Sequence, residues 1–126
     1  MEIEDRFHLG SDSKAFTSLL AGQFVAQGKL RWDSTFVEVF PELKSEMNSE
    51  FAKITLQELL SHSSGRGADG PGLIDLLSRS CQQDGNMDKV RYWMVRETAS
   101  KPLDHARSST FAYSNLGYTI AGAILD

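Results

Sequence analysis

The chain's 126 residues are enough for one domain with a single modest core, and 40% hydrophobic with 24% charged residues is an ordinary globular composition. A net charge of −4, a pI near 5.3 and no run of lysines or arginines argue against a nucleic-acid surface, and no apolar stretch reaches membrane-spanning length. Cys81 is the only cysteine, so an internal disulfide and a thiolate metal cluster are excluded.

The opening Met1-Glu2-Ile3-Glu4-Asp5-Arg6 lacks the basic region and apolar core of a signal peptide. Localisation stays open, with the cytoplasm slightly favoured. Ile3, Phe7 and Leu9 then alternate weakly, as in a short strand or an extended lead-in. From Ser11 to Gln27, Phe16, Leu19, Leu20 and Phe24 recur at helical spacing, and Gly28 stands where a helix ends. Ser11 or Ser13 would cap that helix, with Asp12 favoured at its positive end. Leu30 and Trp32 alternate with Lys29 and Arg31 as a short extended piece. Asp33 or Ser34 would cap a brief helix carrying Phe36, Val37, Val39 and Phe40, which Pro41 ends. Residues 42–53 are polar and read as a connecting loop.

Thr55 and Glu58 form a capping box, so Leu56, Leu59 and Leu60 face inward on a short helix ending at Ser63-Ser64-Gly65. A second stretch carries Leu73, Leu76, Leu77 and Cys81, and a third carries Val90, Trp93 and Met94 before Pro102 closes the region. Leu116, Ile120, Ala121, Ile124 and Leu125 form a last helix headed by Tyr113-Ser114-Asn115. Trp32, Trp93 and Phe24 read as core. Gly65, Gly67 and Gly70 spell a dinucleotide fingerprint, but a capped helix precedes them and Pro71-Gly72 follows, so the stretch reads as a flexible loop. His8, His62 and His105 lack the spacing of a helical zinc pair and read as surface or hydrogen-bonding residues. No metal or organic cofactor is expected.

Two short motifs carry chemistry, and each occurs once in the sequence. If the first helix opens near Ser11, then Ser11 and Lys14 lie one turn apart on one face, a hydroxyl beside an amine. An ammonium in a first turn meets the positive end of the helix dipole, which favours its neutral form, and burial adds to that. The plain alternative is a capped helix start. Tyr113 and Asn115 read either as a reactive phenol and carboxamide or as a core-edge aromatic and a cap.

The order Ser11-x-x-Lys14, then the stretch from Ile54 to Gly65, then Tyr113-x-Asn115 resembles the serine β-lactamase and penicillin-binding-protein superfamily. The closest look is to the branch of class C β-lactamases, D,D-peptidases and related esterases, over Phe7 to Leu125. That resemblance implies Ser11 as acylated nucleophile, Lys14 as the adjacent amine and Tyr113 as the phenol that exchanges protons. Asn115 would orient the substrate amide and hydrogen-bond the lysine, and the Ser11 N–H could serve a developing oxyanion. Substrates would be small amides or esters, including β-lactams and D-alanyl peptides. Whether Lys14 or Tyr113 is the principal base stays open.

Three departures from the pattern stand out. No Lys- or His-led triad ending in glycine follows Asn115, and the opening strands of such enzymes are absent. Where relatives have a Pro-Gly turn, this chain has Arg107-Ser108-Ser109-Thr110. The expected fold is therefore the helix-rich part of the α+β serine β-lactamase/D,D-peptidase-like fold, one domain over 1–126, truncated at both ends, with most of the antiparallel sheet missing. The expected behaviour is weak hydrolysis and self-association through exposed apolar helix faces. The alternative is a non-catalytic helical binding module derived from such an enzyme.

Overall fold

A computed structural model describes residues 2–67, 71–83 and 85–126. Its helices are α1 (Ser13–Ala26), α2 (Phe36–Val39), α3 (Leu56–Leu60), α4 (Pro71–Ser80), α5 (Met87–Ala99) and α6 (Asn115–Leu125). Short 3-10 turns occur at Gly10–Asp12, Pro41–Leu43 and Phe51–Lys53. The fold is helix-rich, and among the described residues there is no β-strand. An antiparallel bridge outside any strand pairs Thr35 with Thr55 and ties the starts of α2 and α3 together. Around it, Phe36 N–H donates to Ile54 O at 2.8 Å and Leu56 N–H to Ser34 O at 3.1 Å.

Helix α6 occupies the middle of the molecule, packed against α1, α3 and α5. Its residues Leu116, Ile120, Ala121, Ala123 and Ile124 are all buried, because two apolar faces separated by small residues let neighbouring helices approach from several sides. Phe36, Phe51, Ile54, Leu56 and Leu59 fill the core beneath, where the Phe36 and Phe51 rings meet edge to face at 5.0 Å.

Several local expectations change. The chain enters α1 through a 3-10 turn, so the α-helix proper starts at Ser13 and neither serine caps it through its side chain; Ser13 Oγ instead donates to Gly10 O. Thr35, not Asp33 or Ser34, stands at the N-cap of α2: the Glu38 carboxylate reaches back to its N–H at 2.7 Å. Asp33 pairs with Arg31, and the Ser34 hydroxyl accepts from Arg31 N–H. Trp32 sits in a turn and is 43% exposed, so neither the extended piece nor its place in the core holds. Residues 42–53 are more than a loop, since their 3-10 turns bury Leu43 and Phe51. In α4, Leu76 is buried while Leu77 is exposed, as is Cys81 just beyond the helix.

The glycine-rich stretch is pinned where it is described. Gly65 takes φ +81°, and a Cβ there would meet His105 O at 2.4 Å, so only glycine fits. Its carbonyl accepts from the N–H groups of Asp104 and His105, and Gly67 N–H donates to Asp104. Gly70 lies outside the described residues.

Candidate active site

The two motifs come together across the α1–α6 contact. Ser11 sits in the 3-10 turn and Lys14 in the first turn of α1, while Tyr113 precedes α6 and Asn115 opens it. The Ser11 hydroxyl lies 2.8 Å from the Tyr113 hydroxyl. Lys14 Nζ donates to Ser11 Oγ at 3.2 Å and to Asn115 Oδ1 at 2.6 Å. Its ammonium also lies 4.9 Å from the centre of the Tyr113 ring and 5.5 Å from that of Tyr118. Ser11 and Tyr113 are exposed and Lys14 is half-buried, so the hydroxyl is open to a ligand and the amine is held behind it. A cleft of about 430 Å³ opens beside them, walled in part by Tyr118, Thr119 and Arg91.

The α6 side is anchored by its cap. Ser114, 1% exposed, accepts from Gly117 N–H at 3.0 Å and so fixes Tyr113 on one side and Asn115 on the other. Behind Tyr113, the end of α3 grips the approaching chain: Ser63 O accepts from Ser108 N–H, and His62 O accepts from Ala112 N–H, both at 2.8 Å. Glu58, the capping-box residue of α3, receives Ser108 Oγ at 2.7 Å and Arg107 Nη1 at 2.9 Å. Burial alone would raise the Glu58 pKa. The hydrogen bonds from Ser108 and Thr55 and the Arg107 charge outweigh it and hold the carboxyl below its usual range. Arg107-Ser108, standing where a Pro-Gly turn was expected, is thus an ionic clamp, with Ser108 itself at φ +57°.

Two neighbours complete the site. Tyr118, one turn after Asn115 on α6, hydrogen-bonds Leu60 O at 2.9 Å and meets the Ser18 hydroxyl at 3.1 Å; its spacing from Asn115 was the available signal. The His62 ring lies 4.6 Å from the Tyr113 ring and 5.1 Å from that of Tyr118. The sequence reading has His62 as a surface or hydrogen-bonding histidine after the capped helix, and the partner it finds is Ser114 N–H. Among the described residues no group of three or more His, Cys, Asp or Glu side chains is placed to share a metal ion. No described helix is long and apolar enough to cross a membrane.

The family model described as Beta-lactamase matches residues 3–126. A protein named for fimbrial assembly, FimD of Dichelobacter nodosus serogroup D, is 30% identical over 129 residues, covering 100% of this chain and 30% of its own length. Protein flp of Staphylococcus aureus (strain COL) is 24% identical over 121 residues, covering 96% of this chain and 23% of its own. The chain thus spans less than a third of the length of these relatives. No solved structure matches it significantly.

Proposed function

The chain belongs to the Beta-lactamase family, and on that footing we propose that Ser11 is the nucleophile of an acyl-transfer site for small amides or esters. The observation that carries this reading is the convergence of Ser11, Lys14, Tyr113 and Asn115 within hydrogen-bond reach, from positions about a hundred residues apart in the sequence. Attack forms the Ser11 Oγ–acyl bond and breaks the substrate's C–N or C–O bond. An ammonium has no lone pair, so with Lys14 charged it is Tyr113, as its phenolate, whose Oη accepts the hydroxyl proton; with Lys14 neutral, Nζ accepts it. Either way the proton passes on to the leaving amine or alcohol, and water takes the acyl group by the reverse route. Asn115 holds the amine and meets the substrate amide. β-Lactams, D-alanyl peptides and short esters are the substrate classes this chemistry admits.

These helices are read as the helical part of an α+β fold whose sheet belongs to a longer protein, a reading that the relatives' greater length supports. With the Ser11 N–H as the oxyanion donor the site itself supplies, the 126 residues acylate but turn over slowly, since one missing donor costs about a hundredfold or more. A fluorescent penicillin or fluorophosphonate is expected to label the folded chain and to leave Ser11→Ala unlabelled. A folded chain that takes no label, or equal labelling of Ser11→Ala, overturns the reading.

A second reading rests on α1, where Phe16 and Leu19 are each 62% exposed. An apolar face of that kind fits a helical module that docks on a partner or on a second copy. It gains if labelling fails while the folded chain self-associates at micromolar concentration.

A further inference from the structure

We infer that His62 is the positioning residue of this site, holding the Tyr113 phenol against the Ser11 hydroxyl; the inference rests on the acyl-transfer reading above. Both flanks of Tyr113 are tied to this one residue. His62 O accepts from Ala112 N–H at 2.8 Å, and His62 Nδ1 accepts from Ser114 N–H at 3.1 Å. A backbone N–H can only donate, so Nδ1 carries a lone pair and a neutral ring has its proton on Nε2. The ring also lies against Tyr113 at 4.6 Å, Phe111 at 5.4 Å and Tyr118 at 5.1 Å. It therefore packs between the phenol that faces Ser11 and the tyrosine that Lys14 also approaches.

The backbone adds a second, independent sign. His62 takes φ +57°, a left-handed conformation that costs a histidine free energy and that glycine adopts freely. A residue serving only to turn the chain at the end of α3 would be better as glycine. The ring is what glycine cannot supply.

That contrast sets the test. His62→Gly relaxes the backbone and keeps the carbonyl for Ala112, but it removes the Nδ1 acceptor and the ring. His62→Asn tolerates the left-handed conformation and returns an acceptor near Nδ1. Full-chain protein is acylated with fluorescent penicillin, and its rate constant is compared with the unfolding midpoint. His62→Gly is expected to lose about 10- to 100-fold in rate with its midpoint little changed, as misplacement by about 1 Å does, and His62→Asn to recover most of it. Equal rates in wild type and His62→Gly, or equal losses in both variants, overturn the inference. If the wild-type chain takes no label, it is the acyl-transfer reading that fails. The positioning role is then read from amide exchange at Ser114 by NMR. Protection in wild type and His62→Asn with loss in His62→Gly supports it, and protection in all three overturns it.

Discussion

Helices α1 and α6, each with the turn that leads into it, bring two side chains to one point, yet they are held in opposite ways. Helix α6 is fixed by burial: Ile120 and Ala121 are fully enclosed among α1, α3 and α5. Helix α1 carries as many large apolar residues but buries only Ala21 completely, and its Phe16–Leu20 face looks outward. What fastens its first half is polar: Lys14 to Asn115, Ser11 to Tyr113, Ser18 to Tyr118. One side of the site is therefore a rigid platform. The other is attached largely through the groups that would do the chemistry, so site geometry is more sensitive to polar substitutions in α1 than the core is.

Stability measurements on the two helices separate these regimes. Ile120→Ala is expected to cost about 2–5 kcal/mol by cavity formation, read as a fall in the denaturant midpoint. A neutral result would mean that α6 is not the platform described. Glu58→Ala comes next, at about 2–3 kcal/mol: Thr55 still caps α3, but the carboxylate that accepts from Thr55 N–H, Ser108 Oγ and Arg107 Nη1 is gone. The Glu58 pKa is lower in the folded than in the unfolded chain, so its contribution is complete above the ordinary glutamate value of 4.5. It fades as the pH falls through the lower folded value. Wild type should lose this increment in an acid titration of stability, and Glu58→Ala should not.

Ser18→Ala is expected to cost about 1 kcal/mol or less, as removal of one part-buried hydroxyl contact does. Leu19→Ala should be smallest, within about 0.5 kcal/mol, while lowering any self-association seen by sedimentation. A large loss from Leu19→Ala would mean that the exposed face of α1 is already packed in solution.

Legibility in the sequence followed how local each determinant was. The α3 capping box needs only Thr55 and Glu58, three residues apart, and the structure has it. The same rule applied to Thr35 and Glu38 finds the start of α2, but Asp33 and Ser34 offered two more candidate caps in a row. Phe51 is a lone aromatic in a charged stretch, and its burial depends on distant partners, the Phe36 ring and the Arg66 guanidinium among them. The α1 stripe shows the reverse failure: periodicity marks an apolar face but does not say whether anything covers it. In the site, the motif residues could be named through the family resemblance of two short motifs in a fixed order, because spacing alone fits a capped helix start as well. His62 could not, since its role depends on a backbone N–H 52 residues away.

The central claim is that the α1 and α6 starts form a working acyl-transfer site. The most direct measurement is the intact mass of the folded chain after incubation with a β-lactam, followed by peptide mapping of any adduct. One acyl adduct per chain is expected on the peptide holding Ser11, with none in Ser11→Ala and slower formation in Tyr113→Phe. An unmodified folded chain, or an adduct mapped to another residue, would contradict it.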